Sequence, residues 1–343
     1  VSLSLPVRRA AVGFWTLLWI ACAGCGLRSE PGWSPPPSEI YAASYIGAVV
    51  RSLDGGRNWL ELGSDPQPLM AYRKALALGG EGQIFVATSG GGLYVLQADD
   101  GPYVDRSSGL HPGNIRCLAF DPEHRVLWAG TWGSGVFVSA DGGRTWSSTN
   151  DGLTAYHVNC LVPAAPVSDR VYCGTTDGLF VKEGQDAWTA VPGVSGVDAR
   201  TFLIQPDGTE MYVGLGWGGE GPNVLASHDG GQTWKPADER LPTGHVFCLA
   251  CDVEDGRLFA GTDRGVYQKT RGNPGWRRLG GNLPEARVFS LATAEGHCLA
   301  ATARGLFGIA RGATRWTHLS YPLAPSAVTD VLVRPLARAP AES

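Results

Sequence analysis

The stretch Ser139-Ala140-Asp141-Gly142-Gly143-Arg144-Thr145-Trp146 decides the fold, because its pattern of Ser, Asp, Gly and Trp returns twice more along the chain. Ser52, Asp54, Gly56 and Trp59 form one further copy, and Ser227, Asp229, Gly231 and Trp234 another. The pattern describes a tight turn: a short carboxylate accepts backbone N–H bonds, glycine tolerates positive φ, and the indole packs beneath. Elsewhere the closing aromatic persists without the polar part, at Tyr103, Trp188, Trp276 and Trp316. Successive aromatics stand 44, 43, 42, 46, 42 and 40 residues apart, which makes seven units. A period of roughly 40 residues marks an array in which each unit hides its apolar sides against its neighbours.

A second marker has the same rhythm. Leucines in apolar runs recur at 76, 118, 161, 203, 249, 291 and 332, spaced 42, 43, 42, 46, 42 and 41. Both series stretch in the fifth unit, where Gly216 to Asn223 lengthens a loop. Each unit reads as four strands. In the third these are Ile115 to Phe120, Val126 to Thr131, Val136 to Ser139 and Trp146 to Thr149. Inner runs such as Cys117 to Phe120 are continuously apolar, as strands covered on both faces are. Four antiparallel strands per unit define a propeller blade. The first unit begins at its second strand, Ile40 to Ser44, and Val328 to Arg334 matches the missing innermost one. The expectation is an all-β, single seven-bladed β-propeller over residues 39–336, its C-terminal strand completing the first blade, with a disordered tail at 337–343.

Composition agrees: 48 Gly, 23 Pro and 12 Trp against 2 Met suit many short strands and turns. With 28 Lys and Arg against 32 Asp and Glu, the net charge of −4 offers no footprint for nucleic acid. Arg8 and Arg9, the apolar run Ala10 to Ile20 and the small residues Ala21 to Gly26 read as an export signal over residues 1–25. The apolar run is too short to cross a bilayer core of about 30 Å. Cys25, or alternatively Cys22, sits in a lipobox-like context for acylation. The Pro-rich residues 26–38 then read as a spacer. The expected location is the bacterial cell envelope, on the extracytoplasmic side, with the lipid anchor as the membrane contact.

Six cysteines follow: Cys117, Cys160, Cys173, Cys248, Cys251 and Cys298. Cys117, Cys160 and Cys248 share a position where other units place Ala75, Ser290 or Val331, which reads as a small buried residue. A disulfide between Cys160 and Cys173, facing each other across one hairpin, stays open as an alternative. No ligand spacing points to a metal, and no cofactor is expected.

The Asp-box copies, that of Ser139 to Trp146 above all, resemble the BNR/Asp-box superfamily over essentially the whole exported chain at repeat level. In layout the chain is similar to the photosystem II assembly and stability factor-like family of exported bacterial proteins, and that resemblance implies a non-enzymatic binding scaffold, such as an assembly factor. Sialidases of the superfamily resemble six-bladed rings with a Phe/Tyr-Arg-Ile-Pro segment, which this sequence lacks. Xyloglucan-hydrolase relatives face two seven-bladed domains across a cleft.

In a propeller the loops joining second to third strands, and each blade to the next, share one rim, opposite the Asp boxes. That rim collects Tyr72, Arg73, Arg116, Trp132, His157, Arg200, Trp217, His245, Arg264, Arg287 and Arg304. Arginine and aromatic side chains anchor protein interfaces, so a protein or peptide partner is expected, the chain itself being a monomer. Trp132 and Trp217, in Gly-rich loops, offer stacking surface that also suits a glycan. The box residues Asp54, Asp141 and Asp229, spread around the ring, are structural, and no residue is assigned a catalytic role. The alternative is a glycoside hydrolase or carbohydrate-binding propeller. Hydrolysis needs two carboxylates about 5–9.5 Å apart; Asp177 with Asp198, and Asp263 with Glu285, are the neighbouring-loop pairs. His111, His157 and His245 precede three innermost strands but belong to separate units, and no metal is assigned to them.

Overall fold

The computed structural model describes residues 36, 38–45, 49–63, 74–97, 101–110, 114–164, 166–216, 222–237, 241, 244–270, 273, 275–319 and 327–335. The expected signal peptide with Cys22 and Cys25, most of the spacer and the tail at 337–343 lie outside the described residues, as do Tyr72, Arg73, His111 and Trp217. Among the described residues no helix is long and apolar enough to cross a membrane.

Among the described residues, twenty-eight strands, β1 to β28 in chain order, form seven four-stranded antiparallel sheets. The innermost strands are β4 (Lys74–Leu78), β8 (Ile115–Asp121), β12 (Val158–Pro163), β16 (Ala199–Ile204), β20 (Val246–Asp252), β24 (Val288–Ala294) and β28 (Val328–Pro335). Each packs on the next, and β28 touches both β24 and β4, so the ring closes. The first blade runs β28, β1 (Ser38–Ser44), β2 (Val49–Ser52), β3 (Leu60–Glu61). The C-terminal strand thus completes the blade that the N-terminal strands begin, as expected, leaving no open edge inside the ring.

The core lies between blades. Phe85, Leu93 and Val95 of the second blade pack with Ile115, Leu127 and Trp146 of the third. Second strands such as β5 (Ile84–Thr88) are buried at every residue, which accounts for their unbroken apolar runs. The closing aromatics also strap neighbours together: Trp316 Nε1 donates to Leu279 O at 2.7 Å, Trp188 Nε1 to Thr149 O at 2.6 Å, and the Tyr103 hydroxyl to Leu62 O at 2.8 Å. Each of these carbonyls belongs to the preceding blade.

Strand pairing corrects the leucine series at two positions: in β16, Phe202↔Val213 follows Thr201↔Gly214, so Phe202 holds the station expected for Leu203, and the second lies in β28. Leu118 pairs with Ala129 one step beyond Cys117↔Gly130, and in β28 the matching pairs are Asp330↔Ala43 and Val331↔Ala42. Val331 therefore takes the station of Leu118, and Asp330 takes the small-residue station of Cys117, Cys160 and Cys248, one residue earlier than the leucine spacing implies. The small residues there face glycines: a Cβ on Gly130 would stand 2.5 Å from Cys117 Sγ, and one on Gly174 2.8 Å from the Ala199 carbonyl of the next blade.

The disulfide alternative is overturned. Cys160 pairs with Gly174 while Cys173 pairs with Leu161, so the two side chains leave opposite faces of the sheet, and both thiols are free. Burial pushes the Cys160 thiol up to about 12 and the Cys173 thiol well above its usual range.

Candidate functional site at the axial mouth

Six of the innermost strands carry an irregularity in the same place. The register shifts between Ile115 and Cys117, Val158 and Cys160, Ala199 and Thr201, Val246 and Cys248, and Val288 and Ser290, and β28 shifts between its partners Ala43 and Ser44. A bulge leaves one residue outside the ladder and re-aims its side chain. Those residues are Arg116, Asn159, Arg200, Phe247, Phe289 and Thr329. All six line one cavity of about 260 Å³ that draws on the innermost strands of all seven blades and therefore lies on the propeller axis.

Around this mouth the side chains form linked pairs. The Arg116 guanidinium lies over the Trp132 indole, 4.4 Å from its centroid, and the His157 ring meets that indole edge-on at 4.4 Å. Asp198 joins two neighbours, accepting Arg200 Nε at 2.8 Å and Asn159 Nδ2 at 2.8 Å. Arg200 in turn lies over Phe247 at 5.5 Å, which also carries Arg287 at 4.8 Å and stacks on His245 at 5.7 Å. Gly216 permits the Asp198–Arg200 pair, since a Cβ there would stand 2.0 Å from Asp198 Oδ2 and 2.4 Å from Arg200 Nε. Of the sequence-predicted rim residues, Arg116, Trp132, His157, Arg200, His245 and Arg287 thus meet at the mouth.

Arg264 and Arg304 are exposed on a repeated turn instead. Thr262 Oγ1 donates to Gly265 O at 2.8 Å and accepts Arg264 N–H at 3.1 Å; Thr302 does the same with Gly305 at 2.8 Å and Arg304 at 3.0 Å. Gly265 and Gly305 have φ of +111° and +112°, a conformation that favours glycine. Sequence reading missed this Thr-x-Arg-Gly turn, and missed Asn159, Phe247 and Phe289, although each precedes the small-residue station by one position.

The Asp boxes sit at the other end of the blades. Asp141 accepts the Ser139 hydroxyl at 2.8 Å, Thr145 N–H at 2.9 Å and the Thr145 hydroxyl at 2.7 Å. Asp229 repeats this with Ser227 and Thr233. These bonds, from the threonine side chain first, hold both carboxyls well below the usual range. At Asp54 partial burial opposes ionisation, yet bonds from Asn58, Ser52 and Arg57 outweigh it and lower the pKa. Such acids are turn locks. On the mouth side, Asp177 accepts the Thr154 hydroxyl at 2.8 Å, and Asp198 is held as described. Among the described residues no group of three or more His, Cys, Asp or Glu side chains is placed to hold a metal.

Fold and site together define a seven-bladed β-propeller with Asp-box turns at one end and a basic, aromatic mouth at the other. The chain carries the BNR/Asp-box repeat: that family matches residues 225–236, the copy containing Asp229 and Trp234. No curated protein matches the chain. Solved structures share the fold. The GH74 xyloglucanase from Xanthomonas campestris is 18% identical with a TM-score of 0.60, over 85% of this chain and 52% of the enzyme. The extracellular domain assigned to a hybrid two component system of B. thetaiotaomicron is 17% identical with a TM-score of 0.59, over 74% of this chain and 36% of that one. A chain of the nidogen/laminin complex is 11% identical with a TM-score of 0.54, over 87% of this chain and 98% of its own length. The chain spans between 31% and 52% of the GH74 enzymes it resembles.

Proposed function

We propose that this chain is an exported, lipid-tethered binding propeller that docks a protein partner on its arginine-rich rim. The observation that carries the reading is the set of guanidinium groups held in place on aromatic faces around one mouth, Arg116 on Trp132 and Arg287 on Phe247. Such pairs keep a full charge and a planar donor fork while limiting side-chain motion, which lowers the entropy cost of docking. Similarity in fold to a chain of a protein–protein complex, and to a bacterial extracellular domain, supports the same reading. The partner presents acidic groups. The test is capture from envelope extract with the partner identified by mass spectrometry. Changing Arg264, Arg287 and Arg304 together to Glu should remove that one protein from the captured set while the fold stays intact; undiminished capture would refute the reading.

A second reading, carbohydrate binding or glycoside hydrolysis, draws on the exposed rings of Trp132 (39%) and Tyr156 (46%) and on the GH74 neighbours. It expects a glycan-array signal that Trp132→Ala abolishes, and, if hydrolysis occurs, product formation lost in Asp177→Asn.

A further inference from the structure

We propose that two arginine-tipped turns on blades six and seven receive an extended acidic segment of the partner, in polyproline II form, with carboxylates three residues apart. This rests on the docking reading and names the chemistry and spacing of what docks. Charge is unevenly divided along the chain. From Thr262 to Leu319 nine Lys and Arg stand against Asp263, Glu285 and Glu295, although the chain as a whole carries −4. Such a sector is complementary to an anion.

The turns do not need arginine. Thr262 and Gly265 close one and Thr302 and Gly305 the other, and the fourth blade builds the same turn, the Thr175 hydroxyl donating to Gly178 O at 3.0 Å and accepting Asp177 N–H at 3.1 Å. One backbone thus carries Arg264, Arg304 or Asp177 just before its glycine. The bonds that hold it come from the threonine and the main chain, so the side chain at this place is open to selection by a partner. Arg264 and Arg304 are exposed, and among the described residues neither guanidinium has a hydrogen-bond or ion-pair partner. Arg287 links the two blades: its carbonyl accepts Ala303 N–H at 3.0 Å, next to Arg304, and its guanidinium lies over Phe247 of blade six at 4.8 Å. Asp177, exposed at the same station of blade four, repels acidic groups and leaves blades six and seven as the landing place.

Spacing selects the form of the anion. Arg264 and Arg304 hold equivalent places on neighbouring blades, and facing sheets stand about 10 Å apart. A polyproline II chain has three residues per turn and rises about 3.1 Å per residue, so residues three apart lie on one side of it, about 9 Å from each other. Carboxylates so placed meet both guanidinium groups at once. A β-strand sends residues three apart to opposite sides. The polyproline form is also ordered before it binds, which lowers the entropy cost of docking.

The test is calorimetric titration of the full chain at low salt with three peptides, each acetylated and amidated: Pro-Pro-Glu-Pro-Pro-Glu-Pro-Pro, Pro-Pro-Pro-Glu-Glu-Pro-Pro-Pro, and the first with Gln for Glu. The spaced peptide should bind, the adjacent one at least about threefold more weakly because it engages one arginine, and the Gln form at least about tenfold more weakly. Arg264→Gln or Arg304→Gln should each bring the spaced peptide to the level of the adjacent one, with parental thermal midpoints because both side chains are exposed. Arg315→Gln, an equal loss of charge between the third and fourth strands at the other end of blade seven, should leave the preference intact. Equal affinity for the spaced and adjacent peptides, tighter binding of inorganic pyrophosphate, a compact anion, or no binding at millimolar peptide overturns the proposal. If capture of the partner is lost in the triple-Glu variant while the two acidic peptides bind alike, this inference falls and docking stands; undiminished capture removes both.

Discussion

Deleting residues 328–343 removes the strand that joins the two ends of the ring, and it opens two blade interfaces at once. On one face of β28, Val328 and Val331 pack with Leu299, Ala301 and Leu306 of the seventh blade; on the other, Leu332 packs with Leu76 and Val86 of the second. Val328 and Val331 are 2% and 1% exposed. At about 1.5–3 kcal/mol for each fully buried valine, the two together withdraw about 3–6 kcal/mol. The pairing of β1 from Ser38↔Pro335 to Ser44↔Val328 is lost as well, leaving a long unpaired edge. Native domains are stable by only about 5–15 kcal/mol. The truncated chain should therefore aggregate, seen as void-volume elution in size-exclusion chromatography. A graded control is Val331→Ala, which removes two buried carbons at about 0.8 kcal/mol each and adds a cavity cost, so it should lower the urea midpoint while leaving the chain monomeric. A truncated chain that elutes as a monomer and unfolds at the parental urea concentration would refute the closure argument.

Trp316→Ala removes a ring that is 1% exposed together with its strap to Leu279 O, and should cost about 3–5 kcal/mol in urea unfolding. Gly216→Ala should push Asp198 from Arg200 and abolish binding at the mouth while circular dichroism stays that of the parent. The depressed pKa values of Asp141 and Asp229 mean that their stabilisation is complete above the ordinary carboxylate pKa of about 4 and drains away as pH falls below it. Replacing both with Asn should accordingly lower the urea midpoint at neutral pH and narrow the gap to the parent in acid. The described cysteines should resist a thiol reagent in the native state, with Cys160 pushed by burial up to about 12 and Cys251 up to about 11, and a reductant should leave the thermal midpoint unmoved. Rapid labelling of the folded chain would contradict this.

The blade count and the latch were legible because they rest on residue types that only one environment accommodates. A turn that needs Asp, two glycines and an indole leaves a mark wherever it recurs, and the aromatic alone survives in the other blades because it straps one blade to the one before it. The leucine series read correctly at five of its seven positions and slipped by one residue at Leu203 and at Leu332. An apolar run such as Val331-Leu332-Val333 is apolar on both faces, so hydrophobicity does not fix its register. The same ambiguity made Cys160 and Cys173 look like partners, since a hairpin read by spacing alone does not reveal which face each side chain leaves.

The mouth was half legible for a related reason. Arg116 and Arg200 stood out as charges inside apolar runs, but Asn159, Phe247 and Phe289 occupy the same structural station with different chemistry, and nothing in their identities ties them together. What unites them is the bulge, a backbone feature set by the geometry of the innermost strands. Once the bulge is recognised, the position before the small-residue station becomes the variable position of the repeat: the surrounding blade is held by the small residue, with glycine facing Cys117, Cys160 and Cys248 and Ala301 facing Ser290, and the residue ahead of it lines the axial cavity. The seven blades then carry a division of labour along a single strand, in which Cys160 keeps Gly174 and the next blade close while Asn159, one residue earlier, lines the axial cavity.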